Sequence, residues 1–452
     1  MTRYRAILPT LLAILIISGT TSRGTTAYAG KNATGDTMTA DTVAADSADM
    51  TYADTTAADS LLPDSLAADS LPLTKAESLM RLLDNKMFGT SQVAVMAYDL
   101  TADTLIFAHN ERQLMRPAST MKLLTAITAL HNLGSSYRLS TSLIADGNTA
   151  TQDSGQQQNI FIGDIIVRGG MDPLFNTDDM HAFVDAIAQQ HIDTIYGDIR
   201  ADRSFKDTLL LGEGWCWDDD NPVLTPLPWN RKDTFVRKYR QMLQAQGITI
   251  LPTSLIPTDS LGNPTVTTPP ARRRTLCTRT HTIQQILIPM LKKSDNLYAE
   301  ALFYHIAAQR RRPATRRHTA DIMRRLIASL GLNPAHYRIA DGSGLSLYNY
   351  QTAELQVKLL RFAYHSPDIY PHLYPALPVA GTDGTLKKRM RTQPTLDNVH
   401  AKTGTLTGIS SLAGYLTSAD GNTIAFAIIN QGIMSATSAK RFQDNVCRIL
   451  CR

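Results

Sequence analysis

The fold of this chain is decided at Ser119-Thr120-Met121-Lys122, which opens a stretch that runs through Leu133 and ends at Gly134. The stretch is apolar on nearly every side, as in a buried helix, and glycine commonly follows a helix end. Residues three apart share a helix face, so the amine of Lys122 can reach the hydroxyl of Ser119. The sequence therefore predicts a buried helix with a hydroxyl and an amine paired at its N-terminus.

A lysine at this position has a chemical use only if its environment changes its acidity. In water its pKa is near 10.4, and loss of solvation in an apolar helix lowers that value towards the range of a proton acceptor. The helix N-terminus adds a positive dipole and free N–H groups beside the hydroxyl, where an oxyanion can be stabilised. Taken alone, the same residues also fit an ordinary helix cap and a surface lysine.

A second motif, Ser294-Asp295-Asn296, comes directly after the apolar helical stretch 282–291. A second hydroxyl near the lysine can relay a proton towards a leaving amine. An asparagine amide can hold both the lysine and a substrate backbone. Taken alone, this tripeptide is also a common turn sequence.

The third motif, Lys402-Thr403-Gly404, starts a run that is predicted to continue as a strand through 409–416 and to return over 423–430. A strand at a sheet edge can pair with an extended peptide, and a glycine there allows close approach. Lys402, Thr403 and Thr405 offer a cation and two hydroxyls for a carboxylate. The alternative is a lysine that protects the edge from unwanted pairing.

The three motifs in this order are the signature of active-site serine enzymes that are acylated by D-alanyl-D-alanine peptides or β-lactams. A Ser-His-Asp triad built with His400 is a competing hypothesis. The residues around Ser119 do not form the G-x-S-x-G elbow that such a triad commonly uses.

The first 29 residues are predicted to be a signal peptide. Arg3 and Arg5 precede the apolar run 6–17, and Ala27-Tyr28-Ala29 supplies an A-x-A cleavage site. The run is too short to cross ~30 Å of hydrocarbon comfortably. We expect export to the periplasm with cleavage near Ala29, and peripheral or no membrane contact.

Residues 30–74 are predicted to be a disordered linker, because Asp, Ser, Thr and Ala cannot bury enough apolar surface to fold. An aspartate, a hydroxyl residue and a small or aliphatic residue recur along it. This pattern resembles a periplasmic O-glycosylation sequon. An acidic spacer of low complexity explains it equally well.

The charge is distributed unevenly along the chain. The whole chain is +5, of which residues 1–29 contribute +3 and residues 30–74 contribute −7, so the remainder is +9. Such a surface attracts polyanions, including a cell wall that bears stem-peptide carboxylates. Nucleic acid is not expected as a partner, because the basic runs carry no interleaved aromatic residues and the chain is predicted to be exported. Solvated helix faces are the simpler reading of most of these charges.

The four cysteines do not form the pattern of a disulfide scaffold. Cys447 and Cys451 are four residues apart and could pair only if the predicted C-terminal helix relaxed. The sequence contains no metal-ligand spacing, so neither a metal nor a cofactor is expected.

From residue 75 onwards the chain resembles the low-molecular-mass class C penicillin-binding proteins, the D-alanyl-D-alanine carboxypeptidase/endopeptidase group. The resemblance includes the three motifs and seven further segments. These further segments are Gly169-Gly170-Met171-Asp172-Pro173, Gly197-Asp198-Ile199, Asp202-Arg203-Ser204-Phe205, Gly214-Trp215-Cys216-Trp217-Asp218-Asp219, Leu297-Tyr298-Ala299-Glu300, Asp341-Gly342-Ser343-Gly344-Leu345-Ser346 and Gly384-Thr385-Leu386. The family's Ser-Arg-x-Asn is present as Ser346-Leu347-Tyr348-Asn349, without the arginine.

The resemblance implies an α+β fold, a serine β-lactamase/transpeptidase-like antiparallel sheet flanked by helices, with a smaller domain inserted between the first two motifs. The expected parts are 75–137 and 279–452 for the transpeptidase-like domain and 138–278 for the insertion. The 171 residues between Lys122 and Ser294 fit that arrangement. Class A β-lactamases share the three motifs, but their first two lie much closer together.

The resemblance also implies a role for each motif residue. Ser119 is the expected nucleophile, Lys122 the general base and Ser294 the proton relay. The expected substrate-binding residues are Asn296, Lys402, Thr403, Gly404 and Thr405, with the N–H groups of Ser119 and Thr405 forming the oxyanion hole.

The implied activity is cleavage of D-alanyl-D-alanine termini, of D-alanyl-diaminopimelate crosslinks in peptidoglycan, or of both, through an acyl-enzyme that water hydrolyses. Peptidoglycan stem peptides are the expected partners, and β-lactams are the expected covalent inhibitors. A catalytically silent penicillin or cell-wall sensor, a β-lactamase and a peptidase with another substrate are the alternatives.

Overall fold

The structure is a computed structural model that describes residues 73–151, 159–216, 221–266 and 270–452. The predicted signal peptide (1–29) and all but the last two residues of the predicted linker (30–74) lie outside the described residues.

The described residues contain helices and strands throughout. The α-helices are α1 Lys75–Leu82, α2 Met121–Leu133, α3 Thr177–Ala188, α4 Phe235–Ala245, α5 Ile283–Lys292, α6 Asn296–Ala308, α7 Arg316–Ser329, α8 Ala353–Tyr364, α9 Tyr370–Leu373 and α10 Ala436–Leu450. The strands are β1 Gln92–Asp99, β2 Thr104–His109, β3 Arg138–Thr151, β4 Asn159–Arg168, β5 Thr194–Tyr196, β6 Ile199–Asp202, β7 Thr249–Leu251, β8 Arg272–Thr282, β9 His400–Leu406, β10 Ile409–Thr417 and β11 Thr423–Gln431.

Five of these strands form an antiparallel sheet in the order β2-β1-β11-β10-β9. Side chains alternate between its two faces, as the period of a strand requires. Val93 and Val95 pack with Phe442 and Val446 of α10 on one face. Ala94 joins the larger core that contains α2, α5, α6, α7 and α8 on the other face. Helices therefore cover both faces, which confirms the predicted α+β class.

Side chains in the middle of this sheet do not alternate between buried and exposed positions. Strands β10 and β11 are buried at almost every position, because helices lie on both sides of them. The run from Lys402 to Leu416 is also two strands and not one. It turns at Thr407 and Gly408, where Gly408 has φ +73°. The prediction of a single strand over that run was wrong.

A second sheet of six strands is mixed rather than antiparallel. Strand β3 pairs antiparallel with β4 and β8, whereas β5 and β6 pair parallel with β4. Phe161, Ile165 and Val167 of β4 pack with Phe183 of α3 and Tyr239 of α4. This sheet is built from residues 138–282, close to the range predicted for the insertion; the domain boundaries themselves stay a prediction.

Helix α2 is buried on nearly all sides, as predicted, and Gly134 ends it with φ +83°. Helix α5 begins at the predicted place, where the Thr282 hydroxyl accepts a hydrogen bond from the Gln285 amide. In the part of the chain that the structure describes, no helix is both long and apolar enough to cross a bilayer. All four cysteines are free, and Cys447 and Cys451 are both buried.

Candidate active site

Ser119 lies in a single 3₁₀ turn just before α2. The preceding residue, Ala118, has φ +47°, which is an unusual conformation for a residue with a side chain. The carbonyl of Pro117 accepts hydrogen bonds from the hydroxyls of Thr120 at 2.7 Å and Ser411 at 2.6 Å. These two bonds hold the carbonyl beside the left-handed residue, so the turn that presents Ser119 is fixed from both the helix and the sheet.

Lys122 is completely buried and points at Ser119. Its Nζ donates to Ser119 Oγ at 3.0 Å, to Asn296 Oδ1 at 2.8 Å and to the Ser343 carbonyl at 2.8 Å. These three acceptors match the three hydrogens of an ammonium group. Burial lowers the pKa of Lys122 to about 8, although the carboxylates of Asp341 and other nearby acids oppose the shift. The amine can therefore take a proton near neutral pH.

The Ser343 carbonyl is held in place by a buried acid. Glu300 Oε1 accepts hydrogen bonds from the amides of Gly342 at 3.0 Å and Ser343 at 2.8 Å. Burial raises the pKa of the Glu300 carboxyl to about 8, and the neighbouring Asp341 carboxylate adds to the effect. Glu300 bonds the backbone at Gly342 and Ser343 and not Ser119. It therefore positions the Ser343 carbonyl, which accepts the Lys122 hydrogen bond.

Asp341 is the second buried acid beneath the lysine. Its carboxylate accepts from Trp215 Nε1 at 2.9 Å, from the Gly344 and Ser346 amides at 2.7 and 2.6 Å, and from Asn349 Nδ2 at 2.7 Å. Four donors compensate for the loss of solvation of this charge. The segment 341–349 is therefore a closed loop built around one carboxylate.

The hydroxyl of Ser294 is bonded to the other motif lysine. Lys402 Nζ donates to Ser294 Oγ at 2.8 Å and to the Thr403 carbonyl at 2.6 Å. Lys402 is completely buried, and burial together with the nearby Lys122 lowers its pKa well below the usual range. Ser294 has φ +60°, a strained conformation of the kind that clusters at functional sites.

The third motif lies on β9, the edge strand of the five-stranded sheet as described. A Cβ atom on Gly404 would lie 2.9 Å from the Ser119 amide nitrogen and 2.9 Å from the Pro117 carbonyl oxygen. Only glycine lets the strand approach the serine turn this closely. Thr403 Oγ1 donates to Thr385 Oγ1 at 2.7 Å, and Thr405 is exposed on the strand.

The structure thus brings the three motifs together, with one difference from the sequence analysis. Ser294 was expected near the first lysine, but its hydroxyl bonds Lys402. Asn296 is beside Lys122 as expected. His400 is not in a triad: its ring stacks on Tyr374 with the centroids 4.1 Å apart, and the Ser119 hydroxyl accepts from Lys122.

Sequence reasoning assigned no role to Glu300, Asp341, Trp215 or the Ser343 carbonyl. The only signal was that they lie in the further segments of the family resemblance. Their function comes from burial, which a short motif does not report. Within the described residues, no group of three or more His, Cys, Asp or Glu side chains could hold a metal ion.

Comparison with known proteins identifies the family. The profile of the D-Ala-D-Ala carboxypeptidase 3 (S13) family matches residues 75–228 and 228–452. The chain belongs to this family. The prediction of a serine-type D-alanyl-D-alanine peptidase is confirmed, and the recognition of a class C penicillin-binding protein with it.

Individual relatives agree with this assignment. The D-alanyl-D-alanine carboxypeptidase DacB of Haemophilus influenzae is 25% identical over 420 residues, which cover 76% of this chain and 86% of that protein. A D-alanyl-D-alanine carboxypeptidase of Actinomadura sp. is 26% identical over 444 residues, 79% of this chain and 80% of that protein.

Solved structures show the same fold. The crystal structure of penicillin binding protein 4 from Haemophilus influenzae has a TM-score of 0.68 at 22% identity, and covers 81% of this chain and 97% of that chain. A second structure of that protein, complexed with a β-lactam, has a TM-score of 0.63 at 23% identity with the same coverage.

Proposed function

We propose that this S13 family member cleaves D-alanyl-D-alanine peptides of peptidoglycan with Ser119 as nucleophile and Lys122 as general base. The observation that carries the proposal is the 3.0 Å contact between Lys122 Nζ and Ser119 Oγ in a fully buried setting that lowers the lysine pKa. A nucleophile and a base within hydrogen-bond reach are the requirement for covalent catalysis.

Acylation of Ser119 is the first step of the proposed reaction. Ser119 Oγ attacks the carbonyl carbon of the penultimate D-alanine while its proton moves to neutral Lys122. The amide N–H of Ser119 and that of Thr405 bind the oxyanion that develops on the carbonyl oxygen. The C–N bond breaks as the departing amine receives a proton, which leaves an ester on Ser119 and free D-alanine.

In this proposal Ser294 and Lys402 deliver that proton. The Ser294 hydroxyl accepts from Lys402 Nζ, so its own hydrogen is free to point towards the leaving nitrogen. The terminal carboxylate of the substrate binds near Lys402, Thr403 and Thr405. A carboxylate at that place favours the ammonium form of Lys402, because an opposite charge offsets the cost of burial.

The substrate backbone adds to the edge of β9 beyond Ala401, whose own amide donates to the Pro378 carbonyl, and contacts the Asn296 amide. Lys122 passes its proton to the Ser294–Lys402 pair, which replaces the proton given to the amine, and becomes neutral again. Water then attacks the ester; Lys122 accepts the water proton and returns it to Ser119 Oγ as the ester bond breaks and the shortened peptide leaves. A β-lactam follows the same first step, and the Haemophilus protein that is complexed with a β-lactam supports this reading for a related fold.

The site of action in this proposal is the periplasm. The support is the predicted signal peptide at 1–29, the excess of positive charge after residue 74 and the cell-wall substrate of the family. The partners are stem peptides and crosslinks of peptidoglycan, with peripheral or no contact to a membrane. Neither nucleic acid nor a cofactor takes part.

Mass spectrometry of purified pentapeptide muropeptides, as monomers and as crosslinked dimers, tests the proposal. Native protein is incubated in parallel with Ser119→Ala. Loss of one alanine from monomers, only with the native serine, establishes a carboxypeptidase, and splitting of dimers establishes an endopeptidase. If a labelled penicillin attaches but neither substrate changes, the protein is a sensor or has another substrate. If no penicillin attaches, Ser119 is not the nucleophile.

A further inference from the structure

A groove of about 500 Å³ opens at the turn that follows β9. The turn residues Thr407 and Gly408 form one wall, and Leu347 forms another. Arg116 lines the groove three residues before Ser119. The rest of the lining comes from 90–92, Ile409 and 431–432, so the groove lies at the end of the sheet and begins at the turn that follows β9.

Arg116 is held in one orientation without being neutralised. Its backbone amide donates to Gln431 Oε1 at 3.0 Å, and its side-chain Nε donates to the Leu347 carbonyl at 2.9 Å. Its guanidinium carbon lies 5.5 Å from the centre of the Tyr350 ring. Among the described residues, no carboxylate lies within ion-pair distance of Arg116. Its two Nη groups are left to bind a ligand.

The direction of the substrate follows from the two ends of β9. The C-terminal carboxylate binds near Lys402 and Thr403, and the scissile carbonyl lies near Gly404 and Ser119. The remainder of the acyl donor must then run antiparallel to β9, towards Thr407. A strand advances about 3.3 Å per residue, so Leu406, where β9 ends, lies ~7 Å beyond Gly404, and the groove opens at the next residue. That is the span from the scissile carbonyl to the side groups of the third residue back.

We propose that Arg116 and this groove form a subsite for a carboxylate carried by the third residue back from the scissile bond. In a stem pentapeptide this residue is the γ-linked D-glutamate, which has a free α-carboxylate. The inference rests on the proposed function, because the orientation of the donor on β9 depends on it. An arginine fork with free Nη groups distinguishes a carboxylate from its neutral amide.

A matched pair of pentapeptides tests the subsite. Both are L-alanyl-γ-D-glutamyl-meso-diaminopimelyl-D-alanyl-D-alanine, one with the free α-carboxyl group on the second residue and one with that group amidated. Release of D-alanine gives kcat/KM for each peptide, with active sites counted by labelled penicillin. The ratio of the two values is measured within each variant, so a general loss of activity cancels.

We expect native protein to prefer the free acid by about fivefold to tenfold, mainly through KM. Arg116→Met should bring the ratio close to one, and Arg116→Lys should retain part of it. Arg112→Met is the matched control, since Arg112 is exposed, lies outside the groove and carries the same charge. It should keep the native ratio.

Two results would overturn the subsite alone: a native ratio near one, or an unchanged preference in Arg116→Met. An equal loss on both peptides in Arg116→Met, with the ratio kept, would assign the residue a structural role instead. Release of D-alanine from neither peptide by native protein would overturn the proposed function, and the subsite with it.

Discussion

The rate of acylation should depend on pH in a way that reports the burial of Lys122. The general base must be neutral to accept the Ser119 proton, and burial lowers its pKa from 10.5 to about 8. Raising the pH converts ammonium to amine, so the second-order rate constant for acylation should rise and then level off.

The expected size of the rise follows from that pKa. With a value of about 8, the neutral fraction is about 9% at pH 7 and about 91% at pH 9, a tenfold increase that is half complete near pH 8. A solvated lysine would give about 0.03% and about 3%, a hundredfold increase with no plateau in that range. Because Lys402 is buried nearby, the measured midpoint belongs to the pair of lysines.

The assay is stopped-flow acylation by a fluorescent penicillin between pH 6 and 10. The carboxylate of the penicillin is ionised throughout this range, so the titration is that of the protein. Lys122→Met should lower the rate constant by about a hundredfold to ten-thousandfold and remove the rise. Lys358→Met, at a surface lysine paired with Glu354 at 3.3 Å, should keep the native profile.

A hundredfold rise from pH 7 to 9 without a plateau would refute this reasoning, since that is the behaviour of a lysine in water. A flat profile in the native protein would refute it as well. It would mean that the proton leaves Ser119 by a group that does not titrate between these values.

Three further changes test the packing around the site. Gly404→Ala places a methyl group 2.9 Å from the amide nitrogen of the proposed nucleophile, so penicillin acylation should slow by at least about a hundredfold; native-like acylation would contradict the close approach. Trp215→Phe removes a donor from the buried Asp341 carboxylate and should lower the free energy of unfolding by about 1–3 kcal/mol in urea titration, whereas an unchanged midpoint would show that the bond is dispensable. Leu302→Ala, in the core of α6, should cost about 2–5 kcal/mol in the same titration, and Leu261→Ala, at an 85% exposed position, should cost little; equal effects would contradict the assigned core.

Local patterns in the sequence were enough to predict the elements that carry the motifs. Helix α2 with its terminal glycine and helix α5 both lie where the apolar pattern predicted a helix. The pattern failed at the run 402–416. Helices cover both faces of β10, so its side chains do not alternate between apolar and polar. The sequence pattern also did not predict the turn at Gly408.

The pairing of Ser119 with Lys122 is a property of the sequence, because residues three apart on a helix must be neighbours. The motifs and their order also predict the family, and the family predicts the α+β fold. These features are either local or repeated in the relatives, so they can be read without knowledge of packing.

Only the tertiary structure decided what surrounds that pair. Folding forms the hydrogen bond between Lys402 and Ser294, which are 108 residues apart in sequence. It also forms the bond between Lys122 and the Ser343 carbonyl, which are 221 residues apart. It also buried Glu300 and left Arg116 facing a groove without a carboxylate partner among the described residues. Acidity and charge pairing depend on solvation and on neighbours distant in sequence, and both are set only when the chain is packed.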